Sequence, residues 1–305
     1  MSYAVLFSGQ GTQRPGMLPW LESEPVCQTL LQVMQMAIGT DWRATLEDVA
    51  QRSSNTFAQP LLVGTGLAAW SALALRLQEQ PVVVAGYSVA ELSAFACAGV
   101  FSMSDATALA RQRAADMDAA VLGMAGGLLA VSGMTREAVL HAFPALACAI
   151  DIAADQAIYA GPVEVLKSCA LDLAMRGAMC TQLEVRVPSH SHWMSGAALQ
   201  FEQTLSELPF NKAKIAVALN STGTTTTQRD TLRKALSEQI ATTVQWSACM
   251  DSVAERGVRC VIEIGAGTTL SKMWNQRYPG IPARSIEDFR DATGAARWIE
   301  RVVGG

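Results

Sequence analysis

The sequence predicts an α/β protein: a large domain interrupted by a small, split β-α-β-β-α-β unit. Three observations carry this. Val82-Val83-Val84-Ala85 is an apolar, β-branched run that meets Gly86 and passes directly into a helical stretch. That is the pattern of a strand buried on both faces of a sheet. Residues 128–187 read strand, helix, strand, strand, helix, strand, the order of a split unit. Cys260-Val261-Ile262-Glu263-Ile264 then returns to a buried strand closed by Gly265-Ala266-Gly267.

In chain order, residues 3–7 are a short apolar strand ending at Ser8-Gly9-Gln10-Gly11, a glycine turn. Residues 26–38 and 42–49 are expected as helices, and 59–80 as a long helix between Pro60 and Pro81. A helix over 89–98 follows the strand at 82–85 and stops at Gly99. Ser104-Asp105 suggests the cap of a helix reaching about residue 122. The inserted unit comprises strands at 128–132, 147–154, 157–160 and 181–187, with helices at 135–143 and 162–176. Helices are expected at 195–205, 229–241 and 247–256. The domains are therefore expected as 1–126 plus 190–305 for the large one and 127–189 for the insert.

Half of the 305 residues are apolar and 16% are charged, which excludes disorder and leaves ample core material. Lys plus Arg number 23 against 27 Asp plus Glu, with no basic run to follow a nucleic-acid backbone. The N-terminus lacks a basic region and a long apolar run, so no leader is expected and the protein is expected in the cytoplasm. Residues 60–77 contain Gly64, Thr65, Gly66, Ser71 and Arg76 and read as a buried helix, not a membrane span. Seven scattered cysteines without CxxC spacing point to reduced core thiols, and no metal site is expected.

Gly86-Tyr87-Ser88-Val89-Ala90-Glu91 lies between buried strand and helix. A serine on such a turn is exposed at a helix N-terminus, where free N–H groups favour developing negative charge. Ser88 is either a nucleophile or a simple helix cap. A nucleophilic serine needs a base, and the chain has only His141, His190 and His192. His141 sits on an amphipathic helix of the insert; His190 and His192 share a loop stiffened by Pro188. Gly9-Gln10-Gly11 could present a backbone N–H to an oxyanion or a phosphate, but Arg14 interrupts the G-x-G-x-x-G pattern.

These segments together resemble malonyl-CoA:acyl-carrier-protein transacylases. Phe7-Ser8-Gly9-Gln10-Gly11-Thr12-Gln13 is similar to that family's PGQGSQ, and residues 85–94 to its AGHSLGEYSA. Residues 109–117 resemble the helix bearing the family's substrate arginine, and Val187-Pro188-Ser189-His190 its VPSH. Thr243-Val244-Gln245-Trp246 and Glu263-Ile264-Gly265-Ala266-Gly267 complete the order. The resemblance implies an α/β-hydrolase-like large domain with a ferredoxin-like insert. It implies Ser88 as acyl-accepting nucleophile, His190 as base, and Arg113 as the cation for the malonyl carboxylate. It further implies Gln10 and Val89 as backbone oxyanion donors and Gln245 as the carbonyl orienting the histidine. Gln13, Asn220 and Met117 are implied near the pocket. The implied substrate is malonyl-CoA with no permanently bound cofactor, and the implied partner is an acyl carrier protein, with no nucleic acid and no membrane.

Tyr87 stands where the family has His, Ala90 where it has Gly, and Asp151-Ile152-Ala153-Ala154-Asp155-Gln156 where it has N-x-N-S-P. The elbow with Tyr87 is most similar to the epsilon subunit of malonate decarboxylase, which implies that complex's carrier and other subunits as partners. Fatty-acid-synthesis transacylase, serine thioesterase or hydrolase, and non-catalytic carrier-binding scaffold are the competing readings.

Overall fold

A computed structural model describes residues 2–304. Strand β1 (Tyr3–Phe7) is wholly buried and leads through short turns to helices α1 (Gln28–Ile38), α2 (Trp42–Thr45), α3 (Val49–Arg52) and α4 (Asn55–Ala74). Next come β2 (Val83–Gly86), α5 (Glu91–Cys97) and α6 (Met103–Ala120). The split unit follows as β3 (Gly126–Ser132), α7 (Arg136–Ala142), β4 (Ala147–Ala153), β5 (Gln156–Pro162), α8 (Val163–Met175) and β6 (Met179–Gln182). The chain then forms α9 (Ser195–Ser206), β7 (Ala216–Ala218), β8 (Thr225–Thr226), α10 (Arg229–Glu238), β9 (Val244–Gln245) and α11 (Trp246–Ala254). It ends with β10 (Cys260–Ile264), α12 (Thr269–Arg277), β11 (Ala283–Ser285) and α13 (Ala292–Gly304).

The large sheet has the order β11-β10-β1-β2-β7-β8, parallel except for β8. Phe7 is in register with both Gly86 and Ile264, so the turns after β1, β2 and β10 emerge side by side. Ligand sites of open parallel sheets form at this carboxyl edge. Buried Glu263 fastens the edge: its carboxylate accepts from Ser8 Oγ at 2.9 Å and from the N–H groups of Leu270 and Ser271 at 3.1 and 2.8 Å.

The small sheet has the order β6-β3-β5-β4-β9. Its first four strands are antiparallel in the ferredoxin-like order; β9, from beyond the inserted segment, adds a fifth strand parallel to β4. Alternation along β3 sends Leu129 and Val131 into a core under α7 and α8, while Leu128 joins the main core with Ile150 and Ile158.

The α/β class and the split unit are as the sequence predicts; several boundaries differ. The long helix starts at Asn55, not near residue 59, and ends at Ala74. Pro60 lies inside it, in the second turn of a helix that is buried on nearly all sides. Ser102, not Ser104, caps α6, in a reciprocal pair with Asp105. The alternation at 181–187 overextends β6, whose ladder stops at Gln182. Strands β7, β8, β9 and β11 are too short to carry a legible period.

Candidate active site

The turn after β2 is tight. A Cβ on Gly86 would meet the Ala90 carbonyl oxygen at 2.0 Å, so this position tolerates no side chain. Ser88 adopts φ +58°, in the left-handed region, and begins a short 3-10 turn through Ala90. Ala90 has an ordinary helical φ of −71°. The elbow's demand for a missing Cβ therefore falls on Gly86 and not on residue 90.

His190 is 2% exposed and also has φ +58°. Its Nε2 lies 2.7 Å from Ser88 Oγ. Its Nδ1 lies 2.6 Å from the backbone carbonyl of Gln239. A carbonyl only accepts, so Nδ1 carries the hydrogen and Nε2 presents a lone pair to the serine hydroxyl. Burial, then the nearby Arg113 cation, pushes the imidazole down to about 3, against the Gln239 bond. It is thus neutral at ordinary pH. His192 is exposed and packs on Trp193, and His141 is exposed on α7.

The orienting carbonyl corrects the expectation for Gln245. Gln239 immediately follows α10, where helix carbonyls have no partner four residues on. The next residue, Ile240, accepts the His190 N–H at 3.0 Å, which seats the loop against this helix end. Gln245 belongs to β9, paired with Asp151 of the small sheet.

Arg113 is 1% exposed on the inner face of α6, one turn before Met117, while Arg111 is exposed. Its Nη1 donates to Gln59 Oε1 at 2.8 Å and its Nη2 to Gln239 Oε1 at 3.3 Å; Nε has no partner among the described residues. Burial lowers its pKa to about 10, opposed by Glu91. A buried cation whose hydrogen bonds go to neutral oxygens is an unusual holding, costly unless an anion joins it. Met117 Sδ accepts from Gln59 Nε2 at 3.6 Å and so steadies that glutamine.

The turn after β1 lies against the elbow: a Cβ on Gly9 would meet the Tyr87 carbonyl oxygen at 2.4 Å. This sets the Gly9 turn directly against the residue that precedes Ser88. Gln10 Nε2 donates to Asn55 Oδ1 at 3.0 Å, and Asn55 Nδ2 to Asp118 Oδ1 at 2.6 Å. Gln13 shapes the turn: its Oε1 accepts from Gly11 N at 2.8 Å and its Nε2 donates to Arg52 O at 3.0 Å. Asn220 is fully buried with its amide spent on the elbow backbone. Tyr87 packs its ring edge-on against Trp246 at 5.0 Å.

Gln59, Gln239 and Glu91 escape sequence reading. Only Gln239 left a signal, being at the end of a predicted helix where free carbonyls occur. Together the arrangement pairs an activated hydroxyl with a neutral base and a buried cation, a set suited to acyl transfer from a substrate bearing a carboxylate.

The sequence profile of the acyl transferase domain matches residues 5–301. A malonyl CoA-acyl carrier protein transacylase of Haemophilus influenzae is 30% identical over 297 residues, spanning 94% of this chain and 95% of that protein. The crystal structure of an acyl-carrier-protein S-malonyltransferase from Burkholderia pseudomallei superposes with a TM-score of 0.89 at 27% identity, over 97% of this chain and 100% of that one. A malonyl-transacylase in complex with a type II PKS acyl-carrier protein gives 0.89 at 25% identity, over 97% and 99%.

Proposed function

The chain belongs to the acyl transferase domain family, and from that premise we propose that it transfers malonyl from coenzyme A, through an ester on Ser88, to the thiol of an acyl carrier protein. His190 Nε2 takes the Ser88 proton as Oγ attacks the thioester carbonyl. The N–H groups of Gln10 and Val89 receive the oxyanion, a contribution on the order of 10²–10³ in rate per donor. Collapse breaks the C–S bond, and the imidazolium returns its proton to the departing coenzyme A thiolate. The carrier thiol then gives its proton to His190 and attacks the ester, and Ser88 regains its hydroxyl. The Gln239 carbonyl keeps the imidazole in the working tautomer throughout.

The observation that carries this reading is the 2.7 Å Ser88–His190 contact beside a buried Arg113 bonded only to neutral glutamines. Arg113 supplies the charge that a malonyl carboxylate needs and an acetyl group does not. We take residues 127–189 as the small domain and 1–126 with 190–305 as the large one, joined by the β4–β9 pairing.

The finer reading is that the acceptor is the carrier subunit of malonate decarboxylase, supported by Tyr87 and Ala90 in the elbow. Incubation with radiolabelled malonyl-CoA tests the activity: stable label on the protein indicates a transferase, rapid free malonate a hydrolase, and no label a scaffold. Transfer from the labelled enzyme to two carriers, one from malonate decarboxylase and one from fatty-acid synthesis, tests the finer reading. Preference for the second carrier would refute it.

A further inference from the structure

Strands β2 and β7 are parallel, with Val83 opposite Ala216, Val84 opposite Val217 and Ala85 opposite Ala218. Continuing that register by two residues places Asn220 opposite Tyr87. The β7 backbone pairing has ended by then, yet the ladder does not stop. Asn220 Nδ2 donates to Gly86 O at 2.8 Å, and Asn220 Oδ1 accepts from Ser88 N at 2.9 Å. In a parallel ladder a residue donates to the carbonyl before its partner and accepts from the N–H after it. The carboxamide makes those two bonds about Tyr87, standing in for a strand backbone where the chain must turn.

Asn220 is itself held from behind. Its N–H donates to Glu91 Oε1 at 2.8 Å, and its carbonyl accepts from Gln245 N at 2.7 Å. Glu91 is 0% exposed and opens α5, the helix that leaves the elbow. Its Oε2 has no partner among the described residues, a poor setting for a carboxylate. Burial accordingly pushes its pKa up to about 8, opposed by Asn220 N–H and by the Arg113 charge. The two residues thus close a loop from the end of β7, through the carboxyl, to the start of α5, with Ser88 inside it.

We propose that Asn220 and Glu91 are a coupled pair of positioning residues, a side-chain extension of the sheet that holds Ser88 in its left-handed conformation with Oγ aimed at His190. Neither touches the acyl group. Serine at φ +58° is strained, and without these bonds the turn relaxes and the hydroxyl leaves the imidazole. The proposal rests on Ser88 being the nucleophile of the reaction argued above.

The test measures kcat and KM for malonyl transfer, and also the rate at which a fluorophosphonate labels Ser88, which needs no malonyl recognition. Asn220→Ala should lower both kcat and labelling roughly 10- to 100-fold, the scale of an ångström's misplacement, with KM changed by no more than about threefold. Glu91→Ala should do the same. Glu91→Gln keeps an acceptor for Asn220 N–H and should recover at least about tenfold of that loss. The double alanine variant should be no slower than Asn220→Ala alone, because the two act as one device. Unchanged labelling with a lowered Tm, multiplying effects in the double variant, or Glu91→Gln as slow as Glu91→Ala would each overturn the proposal. Should Asn220→Ala not fold, the two Glu91 variants decide alone. If malonyl transfer is the wrong activity but the clamp is real, labelling still falls in the alanine variants; if Ser88 is not the nucleophile, Ser88→Ala retains transfer.

Discussion

Ser88 and His190 share a backbone conformation as well as a hydrogen bond: each has φ +58°, and their side chains meet at 2.7 Å. The only other non-glycine residue with positive φ among those described is Leu18. Left-handed backbone costs a residue with a Cβ about 1–2 kcal/mol. Two adjacent strained turns, 102 positions apart in sequence, are held in place by their surroundings.

Replacing Ser88 with Ala should abolish the malonyl-enzyme while leaving thermal stability near wild type. His190→Ala should slow acylation by roughly 10²–10⁴-fold, the range for a positioned base. His192→Ala should be silent, since that ring packs on Trp193 at the surface. Single-turnover acylation checks all three; a silent His190→Ala with a damaging His192→Ala would refute the assignment.

Arg113→Ala should reduce kcat/KM for malonyl-CoA on the order of 10- to 100-fold through loss of a charge-assisted contact. Acetyl-CoA should be affected little, or improve, as the pocket loses an uncompensated cation. Equal losses for both thioesters would mean that Arg113 supports the fold or contacts coenzyme A instead.

The pH profile follows from the depressed His190 pKa. Burial and the Arg113 charge both disfavour the imidazolium, placing it near 3 instead of 6.5. Activity of the wild-type protein should therefore show no inflection near 6.5 from this group. Removing Arg113 deletes the second cause, so the acid limb for acetyl transfer should move upward. The same shift has a stability consequence. Below 6.5 the unfolded chain takes up a proton that the folded one refuses, so this contribution is present above 6.5 and is lost as pH falls toward 3. A pH–rate profile of wild type and Arg113→Ala checks the direction, and a wild-type limb at 6.5 would contradict it.

Gly86→Ala should destabilise the protein by about 3 kcal/mol or more, because the new methyl collides with backbone at Ala90. Ala90→Gly should cost no more than about 1 kcal/mol, since Ala90 already has a helical φ. Chemical denaturation of the two variants checks the contrast, and equal losses would mean the elbow's tight contact lies elsewhere.

The sequence carries strong local signals at the strands and the elbow. Tyr3–Phe7, Val83–Gly86 and Cys260–Ile264 are apolar runs stopped by glycine turns, and each is a core strand of the large sheet. The split unit is legible for the same reason, with its fifth strand excepted. Val244–Gln245 is two residues long, and its place depends on where β4 presents an open edge.

What the sequence alone determined is the chemistry within reach: one serine at a strand-to-helix turn, few histidines, and two arginines, Arg111 and Arg113, on one helix. These are local patterns, set by side-chain type and period. The tertiary structure alone decided which groups meet. Every helix ends in free carbonyls, and packing decided that Gln239, not Gln245, faces His190. It set Arg113 between two glutamines and joined the Asn220 carboxamide to the elbow backbone on both sides of Tyr87. Such pairings join residues about 50 to 130 positions apart, and no local pattern encodes where those segments cross.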